Sequence, residues 1–432
     1  MLPRVIISSD RSSSGKTLVS SAIMWSLSKK LRVRGFKAGP DYIDPGYHRI
    51  ATGRPSINLD LFMMGKEGVL RSLAKYSRDV DISIIEGVMG LYDGHGIEYS
   101  TFKLSEFTKT PIILVLDCSA MGSTAAAIIH GLKSYGGADI RGVIFNKIGS
   151  ETHYSYCKEN VRDVKVLGYI PRISFTVPSR HLGLFTVETY NQAIDAIRLI
   201  SEQVESHVDL DEVVDIASSA PDIDFMEENE EENRNPNKVA AIAYDSAFSF
   251  YYQENLDQIA KKYTIKLFSP INNEKVDGAS LIYLGGGYPE LFVKELSQSQ
   301  VTMKWISNEV SRGTPLIAEC GGLMYLSSYI KTKEGSFPMA KIYDIGISFD
   351  KLTLGYRIAE TIQDSFFGVK GTLIRGHEFH TSSPEYVKEN NFVFKYKNGR
   401  GILDGLDGAR VNNSIASYLH VHFNGLRRGL SF

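Results

Sequence analysis

The chain has 432 residues, 43% of them hydrophobic and 23% charged, with 38 Gly, 14 Pro and a net charge of −2. That length exceeds one ordinary core and points to two domains of about 200 residues each. The composition is that of a soluble globular protein. No apolar run reaches the roughly 20 residues that a bilayer span requires, so no membrane partner is expected. Net charge by itself argues neither for nor against nucleic acid, and none is expected as a partner.

The cysteines Cys118, Cys157 and Cys320 form no disulfide framework and no CxxC metal pair, so a reducing cytosol is the expected location. Met1 runs directly into the strand-like Arg4-Val5-Ile6-Ile7, which is expected to leave no room for a signal peptide.

Residues 1 to about 200 alternate short β-branched runs with helical stretches. Strands are expected at 4–8, 82–86, 111–117, 142–146 and 164–169, with helices at 16–30 and 123–135 between them. Near-continuous apolar strands alternating with helices imply a parallel sheet covered on both faces.

The first strand runs into Ser8-Ser9-Asp10-Arg11-Ser12-Ser13-Ser14-Gly15-Lys16-Thr17 and then a helix. In that context Ser13, Ser14 and Gly15 offer backbone N–H groups to phosphates, Lys16 reaches the outer phosphates and Thr17 offers a hydroxyl to Mg²⁺. The loop is Ser-rich, and Asp10 replaces the first glycine of the strict phosphate-loop pattern. An ordinary Ser-capped helix start is the competing reading. The intact Gly-Lys-Thr after the first strand favours ATP.

Two further stretches fall where neighbouring strands should end. Gly39-Pro40-Asp41-Tyr42-Ile43-Asp44 sets two carboxylates in a turn, and Glu86-Gly87-Val88-Met89-Gly90-Leu91-Tyr92-Asp93 ends a strand on Glu86 and adds Asp93. Acids in turns are commonly turn formers. Four of them beside a phosphate loop, at the carboxyl ends of parallel strands, suit an ATP–Mg²⁺ site.

Between Asp209 and Asn237 lie eleven acidic residues and one Arg, leaving the remainder at about +8. This stretch reads as a solvated linker, which gives domains at 1–205 and 238–432 around a linker at 206–237. The mildly basic remainder is weak support for an anionic small molecule.

A second α/β pattern begins at Val239 and continues through Ser280-Leu281-Ile282-Tyr283-Leu284 and Pro315-Leu316-Ile317-Ala318. Its chemistry centres on Ala318-Glu319-Cys320-Gly321-Gly322, a strand-to-helix turn with Cys at the apex. A thiol there is exposed as a nucleophile, with its pKa lowered by the helix N-terminus. A buried structural Cys is the alternative, disfavoured by the flanking glycines.

Gly285-Gly286-Gly287 follows another strand and is the candidate oxyanion hole, although the same glycines would serve a tight turn. The base candidates are His377, His380, His420 and His422, and spacing alone does not choose among them. His420-Val421-His422 also raises zinc, but no further ligand spacing supports a metal site there.

Taken together, these stretches closely resemble the cobyrinic acid a,c-diamide synthases. The likeness includes 39–48, 86–94, 180–184, 245–252, 285–290, 319–322, 375–380 and 418–423, and it runs the length of the chain apart from the acidic stretch. The resemblance implies an α/β architecture of two domains. One is an N-terminal P-loop domain of dethiobiotin-synthetase type, the other a C-terminal class I glutamine amidotransferase domain with a flavodoxin-like sheet.

It further implies ATP- and L-glutamine-dependent amidation of the a- and c-acetates of a cobyrinic acid-type tetrapyrrole, through a phosphorylated carboxylate. Cys320 would be the nucleophile and His420 the base, with Gly286 and Gly321 at the oxyanion. Thr17, Asp41 and Glu86 would hold Mg²⁺, while Asp44 and Asp93 would orient the substrate carboxylate or stabilise its acyl phosphate. Many class I glutaminases place Glu two residues after the catalytic His. Here that position is His422, which leaves the third triad member open.

Hydrogenobyrinic acid and nickel-sirohydrochlorin remain alternative substrates, and a homodimer is compatible with the resemblance. A P-loop ATPase switch protein is the reading from another class, and only the N-terminal half would serve it.

Overall fold

The computed structural model describes residues 2–162, 164–173, 191–223, 235, 237–426 and 430. The stretch 180–184 and residues 224–234 and 236 of the acidic stretch lie outside the described residues. The chain divides into two compact units, Met1–Glu228 and Asn229–Phe432.

In the first unit, chain order gives β1 (Arg4–Ser9), α1 (Lys16–Ser28), β2 (Val33–Ala38), α2 (Asp44–Thr52), β3 (Ile57–Leu59), α3 (Leu61–Ser77) and β4 (Ile82–Glu86). It continues with α4 (Thr101–Thr108), β5 (Ile112–Asp117), α5 (Thr124–Gly136), β6 (Ile140–Ile148), α6 (Glu151–Lys158), β7 (Lys165–Pro171), α7 (Gln192–His207) and α8 (Leu210–Ser218). The strands form a seven-stranded parallel sheet in the order β3-β2-β4-β1-β5-β6-β7.

Every residue of β1, β4 and β5 is buried, as a sheet covered on both faces demands. Val5 and Ile7 of β1 share a core with Val19, Ala22 and Ile23 of α1 and Val213, Ile216 and Ala217 of α8.

Helix α8 departs from expectation, because it lies inside the stretch 206–237 read as linker. The Asp209 carboxylate accepts the Glu212 N–H at 2.9 Å and caps its start, while Val213, Ile216 and Ala217 bury on one face. Acidic residues in the first turn of a helix are stabilising, so a charge-rich composition hid an amphipathic helix.

The second unit contains β8 (Val239–Ala243), α9 (Gln253–Ala260), β9 (Thr264–Phe268), β10 (Ala279–Leu284), α10 (Val293–Gln298), α11 (Gln300–Ser311), β11 (Leu316–Glu319) and α12 (Gly321–Leu326). After these come β12 (Tyr329–Thr332), β13 (Gly335–Pro338), β14 (Ile345–Thr361), β15 (Leu373–Val387), β16 (Phe392–Tyr396), β17 (Leu406–Val411), β18 (Ser414–Ser417) and β19 (His420–Val421).

A parallel core, β9-β8-β10-β11-β18, carries the α/β pattern that alternating apolar strands imply. From β18 outward the neighbours β17, β16 and β14 pair antiparallel, and β14 forms a long bulged hairpin with β15. Strand β15 in turn pairs with β19, setting His377 opposite His420.

Candidate active site

In an open parallel sheet, functional groups gather where strand order reverses, beyond the carboxyl ends of the strands. In the first unit that point lies at β1, flanked by β4 and β5. The loop after β1 bends through left-handed backbone at Ser13 (φ 63°) and Gly15 (φ 90°). Gly15 is required there twice over: the backbone is left-handed, and a Cβ would sit 2.4 Å from Asn146 Nδ2. Asn146, at the end of β6, donates to the Ser14 carbonyl at 2.8 Å and braces the loop.

Lys16 is buried and donates to three neutral oxygens: Ser9 Oγ at 2.8 Å, the Arg11 carbonyl at 3.2 Å and the Met89 carbonyl at 2.6 Å. Burial, followed by the positive charge of Lys37, lowers its pKa to about 8. An ammonium held only by neutral acceptors favours an arriving anion, which is what a phosphate supplies.

Beside it, Glu86 collects donors from several elements. Its Oε1 accepts from Thr17 Oγ1 at 2.7 Å and from Lys37 Nζ at 3.0 Å, and its Oε2 accepts from Ser20 Oγ at 3.0 Å. His48 Nε2 lies 2.7 Å from the same Oε2. Burial alone would raise the Glu86 carboxyl, but Lys37 and then His48 hold it well below the usual carboxylate range.

Lys37 also pairs with Asp44 Oδ2 at 2.6 Å. Asp44 is pushed the other way, well above its ordinary value, by burial and then by the neighbouring charges of Asp41 and Glu86. Asp41, half-buried, uses Oδ1 to accept the N–H groups of Ile43 at 2.6 Å and Asp44 at 3.1 Å, capping the start of α2.

Ser14, Gly15, Lys16, Thr17, Asp41, Asp44 and Glu86 therefore sit at the ends of β1, β2 and β4, while Ser13 lies exposed at the tip of the loop. Asp93 stands apart from the buried cluster. It is exposed, and its Oδ2 accepts the Gly90 N–H at 3.0 Å within the turn that carries Met89.

Lys37 and His48 are the residues sequence reading passed over. A lysine inside a strand that is otherwise almost wholly buried, one turn before two aspartates, was the available signal.

The donors offered to a cation are all oxygens, a hydroxyl and carboxylates, which fits Mg²⁺. Glu86, however, already fills the acceptor positions of both its oxygens.

In the second unit Cys320 occupies the turn between β11 and α12 with φ 48° and ψ −95°, a conformation that costs about 1–3 kcal/mol. Its N–H donates to the Ser417 carbonyl at 2.7 Å, and its Sγ lies 3.6 Å from the Phe379 carbonyl. Burial and then the charge of Glu290 push the thiol well above its ordinary pKa, and the opposing hydrogen bond from the Gly321 backbone is outweighed.

The lowering expected from the helix N-terminus is thus overturned by desolvation. Helix α12 is short, and Cys320 is only 3% exposed.

Gly286 packs directly on the imidazole of His420: a Cβ there would meet Cε1 at 2.6 Å and Nε2 at 3.4 Å. Gly321 in turn packs on the Gly286–Gly287 backbone, a Cβ at 321 falling 3.2 Å from Gly287 N. The glycines are therefore imposed by close approach, and they bring Gly286, Gly321, Cys320 and His420 into one site.

His377 stands beside His420 with ring centroids 6.3 Å apart, and burial drives its pKa well down. His380 stacks on Tyr418 at 3.9 Å. His422 Nε2 faces Glu254 Oε2 at 3.4 Å, and burial lowers its pKa to about 3. Among the described residues no group of three or more His, Cys, Asp or Glu is arranged to hold a metal ion.

Comparison with known proteins decides the family. Residues 5–184 match the CobQ/CobB/MinD/ParA nucleotide binding domain, and residues 239–427 match the CobB/CobQ-like glutamine amidotransferase domain. The chain is 54% identical to the cobyrinate a,c-diamide synthase of Sulfurisphaera tokodaii over 100% of this chain and 99% of that one.

The chain belongs to the cobyrinate a,c-diamide synthase family.

Other proteins of that name match along nearly the same length. The protein of Saccharolobus solfataricus is 55% identical over 100% of both chains, and that of Methanocaldococcus jannaschii 41% identical over 98% of this chain and 96% of the other. As a cobyrinate a,c-diamide synthase family member the chain is a ligase that joins a nucleotide-binding domain to a glutamine amidotransferase domain. Among the described residues no helix is long and apolar enough to cross a membrane.

Proposed function

We propose that this chain amidates the a- and c-acetate carboxylates of cobyrinic acid, using ATP to activate the carboxylate and glutamine as the nitrogen source. The observation that carries the reading is the presence in one chain of two complementary sites. One is a phosphate loop with Lys16 and Thr17 beside Glu86; the other is a Cys320 elbow packed with Gly286 and His420.

In the glutaminase reaction Cys320 gives its proton to His420, and the sulfur attacks the amide carbon of glutamine. Backbone N–H groups near Gly286 and Gly321 stabilise the oxyanion. The C–N bond breaks as His420 returns the proton to the leaving nitrogen, releasing ammonia. Water then cleaves the thioester, giving glutamate and the free thiol. Since burial keeps the thiol protonated, proton transfer belongs to the glutamine-bound state.

At the other site the γ-phosphoryl group of ATP passes to the substrate carboxylate, leaving ADP and an acyl phosphate. Ammonia displaces phosphate from it to leave the amide. Lys16 holds the outer phosphates, and Ser13, Ser14 and Gly15 contribute the loop backbone.

Thr17 and Asp41 are suited to hold Mg²⁺, which neutralises phosphate charge when bound. Glu86, saturated by its own hydrogen bonds, orients the Thr17 hydroxyl so that an oxygen lone pair faces outward. Lys37 offsets Asp44 and Glu86, and Asp44 and the exposed Asp93 are suited to orient the substrate carboxylate or stabilise its acyl phosphate.

The test is ATP- and glutamine-dependent turnover followed by mass spectrometry on cobyrinic acid, hydrogenobyrinic acid and nickel-sirohydrochlorin in parallel. Two successive losses of about one mass unit on cobyrinic acid, each OH becoming NH₂, are expected. The same change confined to another tetrapyrrole would reassign the substrate. Continued glutamine hydrolysis with no mass change on any of them would overturn the tetrapyrrole assignment.

A further inference from the structure

A thiol–imidazole pair works only if the imidazole is held in one tautomer and its developing charge is met, normally by a carboxylate on the far ring nitrogen. The position where many glutaminases keep that carboxylate is His422 here, and His422 is engaged with Glu254 Oε2 at 3.4 Å. Glu254 spends its other oxygen on Asn424 Nδ2 at 2.8 Å. Glu378 is paired with Arg357.

One carboxylate does face His420. Glu319 Oε2 lies 3.7 Å from His420 Nδ1, with both side chains almost wholly buried. Both its oxygens are anchored: Oε2 accepts from Tyr283 Oη at 2.8 Å, and Oε1 accepts the Val421 N–H at 3.0 Å, the residue following His420. Parallel register explains the meeting, since Glu319 ends β11 level with Ser417 of β18, just before the chain reaches His420. The opposite side of the ring, Cε1 and Nε2, packs on Gly286.

We infer that Glu319, the residue immediately before the nucleophile, is the third member of the glutaminase triad, holding His420 with Nε2 turned toward the site. It is a positioning residue, acting through His420. The separation of 3.7 Å is that of a pair at rest, and such bonds commonly tighten when substrate binds. The inference rests on the assignment of Cys320 and His420 above, and the experiment separates the two.

Four variants, Glu319→Gln, Glu319→Asp, Glu254→Gln and Cys320→Ser, are assayed for glutamine hydrolysis and for ammonium-driven amidation. Glu319→Gln is expected to lower kcat for glutamine hydrolysis by about 10²–10⁴-fold with little change in KM, while ammonium-driven amidation is retained.

A merely structural loss would fall on glutamine hydrolysis and ammonium-driven amidation alike. Glu319→Asp, which keeps the charge, is expected to recover about tenfold or more over Glu319→Gln, and Glu254→Gln to stay near wild type.

A large loss with Glu254→Gln and a small one with Glu319→Gln would overturn the inference and move the triad to His422. So would equal loss of both activities in Glu319→Gln and Glu319→Asp, which would make Glu319 a structural residue. Glutamine hydrolysis surviving in Cys320→Ser would instead sink the underlying reading of the site.

Discussion

Around Glu86 the buried side chains are charged and already paired with one another, whereas around Cys320 the buried thiol and the nearby His377 and His422 are kept uncharged by desolvation. On the proposed function, the contrast follows from what each site handles. A phosphate-binding site receives a ligand that is anionic on arrival, so fixed cations and oriented donors can stand ready. A thiol site receives a neutral amide and needs new charge only while the bond is changing, so the thiol rests uncharged and acts through proton transfer. Desolvation strengthens both arrangements, but it acts on paired ions in one and on latent ones in the other.

The largest expected effect separates the sites outright. Cys320→Ser should lower glutamine-dependent amidation by about 10⁴-fold or more while ammonium-driven amidation continues. Equal loss with both nitrogen donors would break the comparison, because the thiol would then serve the synthetase site too.

Next comes Lys37→Met, which leaves Asp44 and Glu86 buried without their shared cation. A loss of about 3–5 kcal/mol in the stability of the first unit is expected, along with amidation from either donor. Chemical denaturation and the ammonium assay read these out; an unaltered denaturation midpoint would show that the cluster is not an ion-paired one.

The smallest effect sharpens the comparison through pH. Free Lys16, lowered to about 8, must be protonated to meet phosphate. Below that pH nucleotide affinity should be flat. Above it, binding takes up a proton and Kd should weaken about tenfold per pH unit until the pKa of the bound state is passed. Titration calorimetry between pH 7 and about 9.5 checks the slope, and a flat profile would mean that Lys16 keeps its proton throughout.

Much of this was legible in the chain because it was local. Gly15-Lys16-Thr17 after an apolar strand and Cys320 between a strand and two glycines are statements about neighbours in sequence. What escaped depended on register. Glu319 meets His420 only because β11 and β18 lie side by side, and no spacing along the chain announces a contact between residues a hundred apart.

Lys37 escaped for a related reason: a strand lysine reads as solvent-facing until the sheet covers both its faces. The long β14–β15 hairpin passed unread because half-buried antiparallel strands broken by bulges blur the period-two signal. Helix α8 was hidden by its acids.

The four hydrogen bonds on Glu86 reach beyond holding a carboxylate in place. They bring α1, β2 and α2 to two oxygens, so the positions of Thr17, Lys37 and His48 are not independent variables. A ligand that draws Thr17 away from Oε1 changes the free energy of the Lys37 contact at that same atom. Thermodynamic reciprocity then requires that whatever engages Lys37 or Asp44 alter the affinity at Thr17 by the same factor. Nucleotide and acceptor would thus read each other's presence through one side chain, in a first unit whose backbone need not move at all.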